Sequence, residues 1–189
     1  PIKKDKLWFF AATRYNSVTN FIANTFMDDG SQGIDDQYIL NGMARLTWQA
    51  TPRNKFSGYF DEIDKYRGHD MQANYDPETA ATVWNSPAYH TTAIKWTSPI
   101  SSSLFLEAGW SNNTEYYTNE YREGIEQPRG TAAWFANAAK NEVDLGGYTQ
   151  AGPINTTESP VAFYWNFAAT YVKGNRTFKM GANNRQGTF

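Results

Sequence analysis

Leu40-Asn41-Gly42-Met43-Ala44-Arg45-Leu46-Thr47-Trp48-Gln49-Ala50-Thr51-Pro52-Arg53-Asn54-Lys55-Phe56-Ser57-Gly58-Tyr59-Phe60 reads as two strands and the turn between them. Every second residue from Leu40 to Ala50 is apolar or small, and Asn41, Met43, Arg45, Thr47 and Gln49 stand between them. A period of two with arginine and glutamine on one side marks a half-buried strand. Pro52-Arg53-Asn54 interrupts the run, because proline has no N–H to give a ladder. The alternation then resumes, with Phe56, Gly58 and Phe60 opposite Ser57, Tyr59 and Asp61.

Moving outward, the same period recurs in seven segments, near 6–18, 38–51, 55–67, 89–98, 103–118, 161–173 and 176–185. In the first, Arg14 sets Trp8, Phe10 and Ala12 on its own side and leaves Leu7, Phe9, Ala11 and Tyr15 on the other. Later apolar faces carry Ile94 and Trp96, then Leu104 to Trp110, then Phe163 to Tyr171, then Phe178, Met180 and Ala182. The links alternate in length. Pro52-Arg53-Asn54, 99–102 and Gly174-Asn175 are tight, whereas 20–37, 68–88 and 119–160 are long and polar. Short turns at one end and long loops at the other are the asymmetry of outer-membrane barrels. The predicted fold is all-β: an antiparallel up-and-down meander of about seven strands, part of a larger transmembrane β-barrel. In that frame Arg45, Lys95, Glu107 and Lys179 face the lumen; on lipid each would cost about 2–4 kcal/mol, somewhat less for Glu. Trp48, Trp96, Trp110, Trp165 and Tyr171 would form the membrane girdle. A soluble antiparallel sheet with one wet face is the competing reading, and its apolar side needs a second layer.

Composition narrows the function classes. The 189 residues are 40% hydrophobic, enough for one domain, and the net charge of −2 gives no pull toward nucleic acid. There is no cysteine, which removes disulfides, thiol catalysis and Cys-type zinc sites together. Aromatic content is 16%, in keeping with interfacial girdles. No apolar run approaches the roughly 18 residues of a transmembrane helix. Pro1-Ile2-Lys3-Lys4-Asp5 has no apolar signal region behind its lysines, so a signal peptide is expected upstream if the chain is exported.

Three stretches resemble the β-barrel of TonB-dependent outer-membrane receptors, especially large receptors with a carboxypeptidase-regulatory-like N-terminal domain. The first ten residues, Pro1 to Phe10, look like the junction from plug to first barrel strand. Arg45 to Phe60 is similar to the second barrel hairpin, and Phe178-Lys179-Met180-Gly181-Ala182-Asn183 looks like a later strand. The resemblance implies an N-terminal barrel fragment just after the plug, since large transporters close with about 22 strands. Arg185 to Thr188 breaks the alternation ahead of the terminal aromatic Phe189, which fits a truncation. It also implies the outer membrane as location and active import of a bulky nutrient, whether siderophore, cobalamin, oligosaccharide or peptide. The implied partners are outer-membrane lipid, the receptor's own plug and through it the TonB complex, and an extracellular nutrient ligand. A small passive or adhesive barrel and a soluble β-rich binding module are the alternatives.

The aromatic residues of the long links, Tyr75, Trp84, Trp134, Phe135 and Tyr148, form a candidate ligand platform, because flat rings stack on sugars and planar chelates alike. The 131–140 run has helix-forming composition, and Gly146-Gly147 and Gly152-Pro153 break the chain beyond it. The acidic link 28–36 offers carboxylates of the kind calcium takes, without EF-hand spacing, and is read as a solvated loop. His69 and His90 have no metal-ligand spacing. Gly30-Ser31-Gln32-Gly33 falls one residue short of a nucleophile elbow, because Asp29 stands where a glycine belongs. Neither an enzyme, a metal nor a cofactor is expected.

Overall fold

The computed structural model describes residues 1–125, 128, 130–152 and 156–188; Pro153 and Phe189 lie outside them. The chain runs β1 (Leu7–Phe26), β2 (Gln32–Gln49), β3 (Lys55–Asp70), β4 (Thr82–Pro99) and β5 (Leu104–Tyr121). A short helix α1 (Ala132–Ala136) and the small strands β6 (Lys140–Glu142), β7 (Gly147–Gln150) and β8 (Thr156–Glu158) come next, then β9 (Val161–Lys173) and β10 (Arg176–Thr188). One antiparallel sheet holds them in the order β1-β2-β3-β4-β5-β9-β10, with β8 added beside β5 and β6–β7 forming a separate ribbon.

The alternation in the sequence becomes two faces because antiparallel partners opposite each other point the same way. One row crosses the sheet as Phe9, Leu46, Gly58, Ile94, Trp110, Trp165 and Asn184. The next, on the opposite face, is Phe10, Arg45, Tyr59, Ala93, Ser111, Tyr164 and Arg185. Glycine at 174, with φ +59, supplies the left-handed backbone of the two-residue β9–β10 turn.

The strands run further than the alternation suggested. β1 continues to Phe26 and β2 begins at Gln32, so most of 20–37 is ladder and only a tight turn separates the two. Apolar residues such as Phe21, Ile22 and Ile34 are mixed with polar ones on both faces there, and backbone pairing extends the strands without a one-sided apolar stripe to announce it. Asp35 and Asp36, read as loop, are strand residues that meet Arg67 and His69.

The tightest packing lies beyond the sheet's polar end. Met71, Ala80, Ala81 and Ala151 are the buried apolar residues, with Thr25, Thr82, Ser86 and Thr118 buried around them. Residues 71–81 and 146–152 meet there, through Tyr148 N to Asn74 O and Asp76 N to Tyr148 O. Gly152 sits where a Cβ would lie 2.2 Å from Thr82 Cγ2, so only glycine allows that approach.

The expectation of a transmembrane barrel is corrected by this topology. A barrel returns its last strand to its first; here β1 and β10 end an open sheet and neither pairs with the other. Open edges within lipid would leave backbone N–H and C=O groups unsatisfied, which is why only closed sheets span bilayers. The resemblance to a TonB-dependent receptor fragment falls with closure. So do the outer-membrane location, the import function and the partners inferred from them: lipid, plug, TonB complex and imported nutrient. The structure is a single open antiparallel sheet, and of the alternatives the β-rich binding module fits it better.

Candidate functional site

The polar face carries graded chemistry from the tight turns to the long-link end. Near the turns, Glu107 accepts a hydrogen bond from Lys179 Nζ at 2.7 Å and faces Lys95 Nζ at 3.5 Å. The bond from Lys179, above all, holds the Glu107 carboxyl below its ordinary value. Arg45 lies over the Tyr59 ring at 5.7 Å, and Asn41 donates to Asp61 at 2.8 Å. Thus Arg45, Lys95, Glu107 and Lys179 share one face, and three of them form one ionic cluster. With no closed sheet there is no lumen, and this face is an open surface.

Trp48, Trp96, Trp110, Trp165 and Tyr171 sit on the opposite face. Trp48 packs against Phe56 with ring centroids 5.8 Å apart, and Trp110 against Phe163 at 6.4 Å. Trp96 Nε1 donates to Asn54 Oδ1 at 2.9 Å, tying β4 to the β2–β3 turn. The girdle role assigned to these residues depended on the closed barrel and is withdrawn with it.

Toward the long-link end the polar face becomes aromatic and charged. Lys65 of β3 places Nζ 5.2 Å from the Trp84 ring centroid and 5.1 Å from that of Tyr89, both on β4. Tyr117 of β5 lies beside Trp84, with centroids 5.8 Å apart, and its hydroxyl donates to Glu158 of β8. That bond to a carboxylate, aided by burial, pushes the Tyr117 hydroxyl up to about 12. Next along β3, Arg67 bridges Asp35 at 2.6 Å and Asp70 at 2.9 Å. Burial pushes the Asp70 carboxyl up, while Arg67 opposes it. The buried Oδ1 of Asn119, whose residue pairs with Trp84 across the ladder, has no hydrogen-bond partner among the described residues. The rings, the ammonium, Asp35 and Asp70 are half-buried and Glu158 is exposed, so their edges remain accessible.

The five platform residues separate into three groups. Tyr75 and Tyr148 meet edge to face at 5.1 Å, fixed by the backbone bonds Tyr148 N to Asn74 O and Asp76 N to Tyr148 O. They border an open cleft of about 480 Å³ that Asn74, Asp76, Glu142 and Leu145 also line. Trp134 and Phe135 form their own pair at 4.9 Å on α1, where the Thr131 hydroxyl caps the helix by accepting from Trp134 N. Trp84 belongs to neither; it is a β4 residue, not a loop residue. Lys65, Tyr89, Tyr117 and Glu158 were missed. Their signal was the interleaving of rings with charges in Lys65-Tyr66-Arg67 and Glu115-Tyr116-Tyr117. The irregularity between Asn85 and Ala88 that brings Trp84 onto the Tyr117 side left no such trace.

His69 Nδ1 is 2.8 Å from Asp36 Oδ1, and His90 stacks on Phe60 at 6.2 Å, so the two histidines occupy separate neighbourhoods. Asp29 turns back to accept from both the N–H and the hydroxyl of Ser31, which holds its carboxyl below the ordinary value. Among the described residues no group of three or more His, Asp or Glu side chains could hold a metal ion. No family model matches this sequence, and no curated protein and no solved structure matches it either.

Proposed function

We propose that this chain is a β-rich binding module that takes a neutral, polyhydroxylated ligand of the glycan class on its polar face. The observation that carries the proposal is the ring wall of Trp84, Tyr89 and Tyr117 around the Lys65 ammonium. Flat apolar rings suit the C–H faces of pyranoses, and each ring has a polar tip that can hydrogen-bond at its rim. Glu115 and Glu158 already accept hydrogen bonds from hydroxyls beside it, the kind of bond a sugar hydroxyl makes. The surrounding carboxylates disfavour a strongly anionic ligand, since Glu115, Glu158 and Asp70 lie on the same strands or beside them.

The test is a titration of the full chain with cello-, malto-, xylo- and chito-oligosaccharides, read by tryptophan fluorescence. At least one series should bind, and Trp84→Ala should weaken it roughly five- to one-hundred-and-fifty-fold, given roughly 1–3 kcal/mol for a stacked ring. Binding of none of them, or equal binding by Trp84→Ala, would remove the proposal.

A further inference from the structure

The β6–β7 ribbon turns back onto the backbone of 74–76, and the cleft of about 480 Å³ lies where they meet. Tyr75 and Tyr148 stand in it with ring planes at 89° and centroids 5.1 Å apart. In an edge-to-face pair one ring gives up a face and the other gives up none, so flat walls at a right angle border the cleft. The face of such a ring is negative and attracts a cation placed over it. Burial, and then Tyr148 and Asp70 nearby, hold the Tyr75 hydroxyl above its ordinary value, so this wall stays a neutral phenol.

The chain around this corner has one sign of charge. Residues 70–80 hold Asp70, Asp76 and Glu78, residues 141–152 hold Glu142 and Asp144, and neither stretch contains Lys, Arg or His. Asp76 and Glu142 line the cleft itself. Two cations approach these stretches and both are engaged. Lys140 Nζ donates to Ala136 O and to Gln150 Oε1, and Arg122 Nη1 donates to Pro77 O; neither side chain lines the cleft. The acceptors are largely taken as well. Asp76 accepts from the Thr79 hydroxyl and the Glu78 N–H, and Glu142 accepts from the Asp144 N–H. The carbonyls of Asn74, Tyr148 and Gly146 accept from Tyr148 N, Asp76 N and Asn74 Nδ2. A primary ammonium brings N–H donors that need free acceptors. A quaternary ammonium brings none, and needs only ring faces and negative charge.

We infer that this cleft binds a small, free quaternary ammonium compound, its methyl groups against Tyr75 and Tyr148 and its charge balanced by Asp76 and Glu142. Leu145, at the exposed tip of the ribbon and bordering the cleft, adds an apolar contact for those methyls. The inference does not rest on the neutral ligand proposed above, since none of these residues belongs to the ring wall of Trp84.

NMR of the full chain with labelled tyrosine tests it, with choline as the probe and its uncharged analogue, carbon in place of nitrogen, as the control. Choline should move the Tyr75 and Tyr148 ring signals in a saturable way, and the analogue should not. Tyr75→Leu should weaken choline about two- to fivefold, the scale of one exposed cation–ring contact, and Tyr75→Phe should leave it unchanged. Glu142→Gln should weaken it roughly one-and-a-half- to fivefold, and because Glu142 is exposed this variant decides the matter even where Tyr75→Leu undocks the ribbon. No saturable shift with choline, equal binding of the uncharged analogue, or undiminished binding in Glu142→Gln would overturn the inference. Tighter binding of glycerophosphocholine than of choline would also overturn it, by assigning the cleft to a phosphate-bearing headgroup.

Discussion

Replacing Gly147 by alanine should release residues 146–148 from residues 74–76 and leave the long sheet in place. A Cβ built at Gly147 meets the Asn74 carbonyl oxygen at 2.2 Å, and real Cβ contacts essentially never fall under 3.0 Å, so the two backbones must part by at least 0.8 Å. The atom in the way is backbone and cannot rotate aside. Parting breaks or stretches Tyr148 N to Asn74 O at 3.0 Å, Asp76 N to Tyr148 O at 2.7 Å and Asn74 Nδ2 to Gly146 O at 2.6 Å. It also removes the edge-to-face contact of Tyr75 with Tyr148. Each hydrogen bond contributes about 0.5–1.5 kcal/mol and the ring pair a similar amount. Partial loss of these gives roughly 2–4 kcal/mol, or about thirty- to nine-hundred-fold in the docking equilibrium. Hydrogen exchange at the Tyr148 and Asp76 amides measures this directly, because local opening governs their protection. Gly58→Ala is the control, since nothing lies within 4 Å of its added methyl. Unchanged protection at both amides in Gly147→Ala would show that this glycine is not what allows the segments to meet.

Three further outcomes are expected. Glu107→Gln should cost about 0.2–1 kcal/mol at neutral pH, a small value because both lysine side chains are more than half exposed, at 58% and 61%. Since the folded carboxyl titrates below its ordinary value of 4.5, its contribution is complete above that pH and fades as pH falls through the lowered folded value. Urea unfolding of both proteins across acid pH should therefore show the difference shrinking on acidification. Arg67→Met strands Asp35 and Asp70 without their common cation and should destabilise the chain by about 1–3 kcal/mol, the scale of hydrogen bonds to charged groups, as read by thermal unfolding. In Glu158→Gln the Tyr117 hydroxyl, now at about 12, should return toward 10.0, which carbon-13 NMR of labelled tyrosine would follow.

Much of the sheet was written in the period of two. Arg45 between Ala44 and Leu46, or Lys95 between Ile94 and Trp96, assigns each side chain to a face before any partner is known, and register then joins those faces into rows. What the sequence did not hold was closure. Alternation specifies which way a residue points, and the same pattern serves a closed sheet and an open one; only pairing between first and last strands separates them. The reach of the strands was also hidden, because beyond Tyr15 and before Leu40 apolar residues such as Val18, Phe21, Ile22 and Ile34 are scattered among polar ones on both faces, with no clean period of two. At the candidate site, Trp84 was legible as an exposed aromatic, but its companions were not. Lys65 and Tyr117 are far from it in sequence, and a register shift between Asn85 and Ala88 decides that they meet. Tyr75 and Tyr148, in turn, come together only because glycine at 147 lets two backbones touch.

The most direct test of binding on the polar face is to map backbone amide shifts by NMR during titration with the oligosaccharide series that binds tightest. Changes centred on Lys65, Trp84, Tyr89 and Tyr117, and absent from Phe9, Leu46 and Trp165 on the other face, are expected. Shifts centred instead on the apolar rows, or on Trp134 and Phe135 alone, would contradict it.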